Sequence, residues 1–95
     1  MIERHITFEV HPDMTAAFER FYADEYRPAL AMSPGYVDSD LLREADSATR
    51  YQMVLRFEDA DSAASWRTSR VHQALQPALA ALHAGMEVQG YDVIA

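Results

Sequence analysis

At 95 residues, with a hydrophobic share of 49% and a charged share of 24%, the chain has the make-up of an ordinary globular protein with one modest core, which excludes collagen-like, low-complexity and wholly disordered readings. The absence of cysteine removes disulfides, thiolate metal centres, iron–sulfur sites and thiol nucleophiles, and is compatible with a reducing cytoplasm. A formal net charge of −7, with all 8 basic residues being arginines scattered from Arg4 to Arg70, opposes nucleic acid and anionic membranes, because both require clustered cations.

No apolar run approaches the ~18 residues that span a bilayer, and Met1-Ile2-Glu3-Arg4-His5 lacks the basic start and apolar middle of a signal peptide. The expectation is a soluble, unprocessed, cytoplasmic chain with a single domain over residues 1–95. Ile2 to Val10 alternates, with Ile2, Ile6, Phe8 and Val10 on one side and Glu3, His5, Thr7 and Glu9 on the other, the period of a half-buried strand. Arg4 alone breaks the apolar side. Pro12-Asp13 offers a helix start, and Met14, Phe18, Phe21, Tyr22 and Leu30 form a stripe at three- and four-residue spacing. Pro28 lacks an N–H, so the helix should end or kink there.

Ser33-Pro34-Gly35 is a turn. Tyr36–Glu44 and Arg50–Glu58 read as strands joined by a short polar loop, an antiparallel hairpin. Tyr51, Met53, Leu55 and Phe57 share a core-facing side; Arg50, Gln52, Arg56 and Glu58 take the other, with Val54 as the exception. Asp59 or Asp61 caps the next helix, which carries Trp66 and then Val71, Leu75, Leu79 and Leu82. Pro77 should bend or divide it, Gly85 should close it as a left-handed cap, and Met86–Ile94 should form the last strand. The order βαββαβ predicts an α+β, ferredoxin-like domain, a four-stranded antiparallel sheet with two helices on one face. Its other face would carry Glu3, His5, Val54, Leu42, Tyr91 and Val93, a mixed set open to solvent or to a partner.

Three glycines cannot supply a phosphate loop or dinucleotide fingerprint, and no G-x-S-x-G or H-E-x-x-H occurs. His5, His11, His72 and His83 lack helical metal-ligand spacing, so no metal site is expected. Asp38 and Asp40 share one strand face, read as a carboxylate pair or as solubilising charge. His72 lies at the edge of the second helix's apolar arc, suited to a general base between core and cleft, or else a half-exposed boundary residue. Trp66 is a flat wall with one N–H donor, or simply core. Arg4 would hold an anionic or enolate oxygen, or extend its charge to solvent. Phe8, Phe21, Tyr22, Tyr51 and Met53 would line an apolar substrate pocket between sheet and helices, or pack as core.

Pro34-Gly35-Tyr36 before a strand, Leu41-Leu42-Arg43, Tyr51 to Phe57, and the acidic helix start at Glu58-Asp59-Ala60-Asp61 leading through Trp66 to His72 resemble the antibiotic biosynthesis monooxygenase-like (ABM) domain over nearly the whole chain. In that pattern Phe57 stands where Trp is common, Trp66 fills the aromatic or His position, and His72 falls near the later one. The resemblance implies a homodimer whose two sheets pack face to face as a dimeric α/β barrel. It also implies a flat, hydrophobic, aromatic or polyketide-like ligand. Some members oxidise anthrone-like phenols with dioxygen and without metal, flavin or haem, which would give His72 the role of base and Trp66 or Arg4 that of anion stabiliser. Other members degrade haem with a Trp, a strand Asn and a proximal His; here Trp66 matches, but Gln76 stands at the ligand position and Arg4 near the Asn position, so no haem is expected. A non-catalytic dimeric ligand-binding or assembly domain, and a cofactor-free isomerase or cyclase, stand as alternatives.

Overall fold

A computed structural model describes residues 1–95. The chain runs β1 (Ile2–Val10), α1 (Thr15–Phe21), a π-helical turn (Tyr22–Tyr26), α2 (Arg27–Leu30), β2 (Tyr36–Arg43), β3 (Arg50–Phe57), α3 (Ala60–Thr68), α4 (Arg70–Ala80) and β4 (His83–Asp92). The four strands form one antiparallel sheet in the order β2-β3-β1-β4. In the β1–β3 register Arg4 faces Leu55, Ile6 faces Met53 and Phe8 faces Tyr51. Because side chains alternate across the pleat, these residues point to one side of the sheet. There Phe18, Phe21, Tyr22, Tyr26 and Leu30 from the first helical stretch, and Ala63, Trp66 and Leu79 from the second, close a single apolar core over them. The expected βαββαβ sandwich is the observed one.

Local chemistry moves several boundaries. Asp13 does not cap α1; Met14 precedes it with no side-chain cap. Ahead of Pro28 the helix widens rather than ends. The Arg27 N–H bonds back five residues to the Tyr22 carbonyl, and the wide turn accommodates the missing N–H and the bulk of the proline ring. Asp59 is the cap of α3, its Oδ1 accepting from the Ser62 N–H at 2.8 Å and the Ser62 hydroxyl at 2.7 Å. The division of the second helical stretch falls at Ser69, not at Pro77, which lies inside α4. Ser69 is extended (φ −68°, ψ 153°). Its hydroxyl donates to the Trp66 carbonyl at 2.8 Å and accepts the His72 N–H at 3.1 Å, so one side chain ends one helix and starts the next. Gly85 is a β4 residue with no positive φ, and α4 ends at Ala80 without it.

The face away from the helices is tied together by charge. Arg56 of β3 donates through Nη1 to Asp38 at 2.7 Å and Asp40 at 3.0 Å on β2, and through Nε to Glu3 at 3.0 Å on β1. The same Glu3 meets His5 Nε2 at 2.6 Å, and the His5 ring packs against Tyr91 at 4.6 Å. Asp38 and Asp40, expected either as a catalytic pair or as free surface charge, are arginine ligands. Amid this network Val54 is 4% exposed, whereas Leu42 and Tyr91 are each 48% exposed and Val93 40%. Val54 is therefore on the expected face but already covered within one chain.

Gly35 is the one residue with left-handed backbone (φ 79°). A Cβ there would lie 2.0 Å from Ser62 Oγ and 2.4 Å from its Cβ, so the turn before β2 and the first turn of α3 touch through a missing side chain. Gly35→Ala is expected to destabilise by about 2–4 kcal/mol, from left-handed backbone and overpacking together, read as a fall in chemical-denaturation midpoint. Gly85→Ala, whose Cβ would meet nothing within 4 Å, is expected to be neutral; equal effects at both positions would contradict the packing described.

Candidate functional site

The break at Ser69 brings Trp66, near the end of α3, against His72, the third residue of α4. Their rings meet edge-on, with centroids 5.2 Å apart and planes at 72°. On its other side Trp66 meets Tyr26 of the π-helical turn, also edge-on, at 5.7 Å and 81°. Tyr26 in turn stacks with Tyr22 at 6.3 Å and tilts against Phe21 at 6.4 Å, so it links the aromatic core to the indole. Arg4 points to this side of the sheet between Leu55 of β3 and Gly90 of β4. Its charge acts on both Tyr26 and His72. Trp66 and His72, singled out from the sequence, are thus in contact, Tyr26 joins them, and the charge of Arg4 reaches both Tyr26 and His72.

The electrostatics are one-sided. Arg4 is half-buried, and burial, then the Arg67 charge, lower the pKa of its guanidinium; the groups acting on it include no carboxylate. The Trp66 N–H is buried without a hydrogen-bond acceptor. It faces Tyr26, whose hydroxyl burial pushes to a higher pKa while the indole and Arg4 oppose the change. Burial lowers the pKa of His72, the Arg67 carbonyl opposes this, and the Arg4 and Arg67 charges push the same way as burial. The ring's Nδ1 is buried and has no hydrogen-bond partner. At Nε2 the ring meets the side-chain amide of Gln76 at 3.2 Å. A cation and an indole N–H can each stabilise an anionic oxygen, and a neutral imidazole can take up a proton.

The five expected pocket walls do not share a cavity with these groups. Phe8 and Met53 are fully enclosed in the core, Phe8 packing edge-on against Phe18 at 5.2 Å and His83 at 5.1 Å. Tyr22 and Tyr51 border an open depression of about 340 Å³ with Arg27, Leu41 and Arg43, where the Tyr51 hydroxyl donates to Glu19 at 2.5 Å. Phe21 borders another, of about 360 Å³, beside Arg20 and Leu82. Space adjoins Arg4 instead on β4, whose inward-facing Met86 and Val88 are 47% and 43% exposed and whose Gly90 has open space above it. No three His, Asp or Glu side chains gather as a metal-ligand set.

Sequence reasoning missed Tyr26, and met Gln76 only as a departure from the haem-ligand pattern, not as a partner of His72. Tyr26 completes the four-residue series Phe18, Tyr22, Tyr26, Leu30, a signal obscured by Pro28 two residues later. Gln76 is four residues after His72, the spacing that places two helical side chains together.

The sequence profile of the antibiotic biosynthesis monooxygenase family matches residues 1–78. The chain belongs to this family. No curated protein sequence matches it. Among solved structures, SnoaB, a cofactor-independent oxygenase from Streptomyces nogalater, is similar at 26% identity and a TM-score of 0.86, over 99% of this chain and 93% of that one. A Bordetella bronchiseptica protein of the antibiotic biosynthesis monooxygenase type aligns at 23% identity and a TM-score of 0.88 over 99% and 97% of the two chains. One from Nitrosomonas europaea aligns at 20% and 0.86 over both full lengths; these two bear on the fold alone. Gln76, which the family resemblance sets at the haem-ligand position, is a neutral amide engaged with His72, outside the usual set of haem-iron ligands.

The lowered His72 pKa has a consequence for stability. The unfolded chain takes up the imidazole proton near pH 6.5, while the folded chain takes it up only at lower pH. Over that interval the unfolded state binds more protons, so stability contributed by neutral His72 is complete above about pH 6.5 and is lost as pH falls toward the folded pKa. His83, lowered chiefly by burial, acts in the same sense. Thermal melts from pH 7.5 to 5 should show Tm falling with acid, with a shallower slope in His72→Gln. A slope identical to wild type would show that His72 titrates normally.

Proposed function

We propose that this ABM protein is a cofactor-independent monooxygenase that acts on an electron-rich, flat aromatic molecule carrying an ionisable hydroxyl, of the anthrone or hydroquinone type. The observation that carries the reading is the edge-on contact of Trp66 with His72 within reach of the Arg4 charge, with no acid acting on Arg4 or His72, beside the uncovered inner side of β4. A neutral imidazole can accept the hydroxyl proton. The resulting oxyanion would find a half-buried guanidinium and an indole donor ready for it. An ionised phenol is itself the reductant: for an anthrone-like methylene, R₂CH₂ + O₂ → R₂C=O + H₂O balances with no other electron source. Val88 and Met86 supply an apolar floor for the ring system, and the missing side chain at Gly90 leaves room for it. SnoaB is described as cofactor-independent, which supports the same chemistry here.

A second reading, a non-catalytic ligand-binding or assembly domain, is favoured by one observation: Trp66 is only 3% exposed, as a core residue would be. Dioxygen uptake in chelator-containing, metal-free buffer decides between them. The expectation is uptake above the spontaneous rate with an anthrone or hydroquinone. His72→Ala should lower turnover by roughly 10²-fold or more while melting close to wild type, and Trp66→Phe should chiefly weaken binding. Gly90→Leu should block the ligand without unfolding the chain. Wild type with no excess uptake, yet saturable ligand binding that Gly90→Leu abolishes, would establish the binding-module reading.

The assembly proposed with this function is a homodimer through the sheet face bearing Leu42, Tyr91 and Val93, exposed apolar residues around the Arg56 network. Sedimentation equilibrium is expected to return a dimer; a monomer persisting at concentrations on the order of tens of micromolar would rule out a barrel of two sheets.

A further inference from the structure

Gln76 touches His72 twice. Its amide nitrogen lies 3.2 Å from the ring nitrogen Nε2 and 3.4 Å from the His72 backbone carbonyl oxygen. A backbone carbonyl only accepts, so the group facing it is the amide NH₂ and not the amide oxygen. The NH₂ directed at Nε2 therefore donates there, and Nε2 carries the lone pair. On the opposite side of the ring Nδ1 is buried with no hydrogen-bond partner. The amide at Nε2 is therefore the contact that selects the tautomer, and it selects the form protonated on Nδ1.

We infer that Gln76 is a positioning residue that holds His72 as the Nδ1–H tautomer and covers its basic nitrogen, Nε2, until a ligand hydroxyl takes the amide's place. This rests on the reading of His72 as the base. The step is a single proton transfer: the ligand O–H bond breaks, the Nε2–H bond forms, the ligand becomes an oxyanion and the ring a cation that keeps its Nδ1 proton. The amide suits both states of the ring. Its NH₂ donates to the neutral form, and after rotation about its terminal bond its oxygen accepts from the new Nε2–H. No carboxylate replaces it: the charged groups acting on the ring are Arg4 from β1 and Arg67 from α3. Without Gln76 the cation would form beside two like charges with no side-chain acceptor at Nε2.

The test begins without substrate, by long-range ¹H–¹⁵N correlation of the His72 ring. Wild type at neutral pH is expected to show protonated Nδ1 and unprotonated Nε2. Gln76→Met, of similar length but without donor or acceptor, should give a mixture of tautomers, and Gln76→Glu should move the proton to Nε2 and raise the titration midpoint by about one pH unit or more. With an anthrone or hydroquinone substrate, the acid limb of the pH–rate profile in Gln76→Glu should move up by the same amount as the midpoint. A wild-type ring protonated on Nε2 would overturn the proposal, and that measurement stands even if a variant fails to fold. Gln76→Met retaining the pure wild-type tautomer would overturn it too. If the tautomers respond as described but turnover is indifferent to His72→Ala, Gln76 still positions the ring and it is the assignment of His72 as base that fails.

Discussion

Ser69 is the hinge on which the site depends. A continuous helix from Ala60 to Ala80 would turn six residues between Trp66 and His72, carrying their side chains well apart around and along the axis. The extended backbone at Ser69, closed by hydrogen bonds to Trp66 on one side and His72 on the other, breaks that helix and folds the two rings together at 5.2 Å. The break leaves few polar ends unpaired, because one hydroxyl serves both helices. It also sets the imidazole in the first turn of α4, where the positive end of the helix dipole disfavours a second positive charge and works with burial and the two arginines to keep the ring neutral.

The two sides of the sheet manage charge in opposite ways. On the open side Arg56 joins β1, β2 and β3 through three carboxylates. It holds Glu3 well ionised together with His5, the larger influence on that carboxyl. Such half-exposed pairs contribute about 0–1 kcal/mol each; their value here is in fixing the edge strand β2 against β3 and in covering Val54. On the helix side the half-buried Arg4 has no acid to meet. An arginine without a counter-charge in a chain of net charge −7 is a local exception to the protein's overall field.

Much of the architecture was legible in the chain. Period-two alternation located β1 and β3 to within a residue, the Gly35 turn and the Asp59 cap followed from turn and cap chemistry, and Arg4 was visible because it alone interrupts an apolar strand face. Trp66 and His72 were visible as the lone tryptophan and an imidazole at the edge of an apolar arc. What was misread lay at helix interiors and ends. Pro28 was expected to end or kink its helix and Pro77 to bend or divide its own; a wide π turn absorbs the first and α4 runs undivided through the second. The break falls at Ser69 because a side chain with both a donor and an acceptor can close two helix ends at once.

Composition and periodicity by themselves determined the class of fold, the faces of β1 and β3, and the three residues that define the candidate site, because each of these follows from local geometry repeated along the chain. Tertiary structure alone decided that Trp66 and His72 meet within reach of the Arg4 charge, that Tyr26 stands with them, that Asp38 and Asp40 belong to Arg56, and that Gln76 rather than a carboxylate faces the imidazole. Those facts depend on where a helix breaks and on which residues lie opposite each other across strands distant in sequence. A one-residue change in either would exchange every partner, and no pattern confined to a single segment records it.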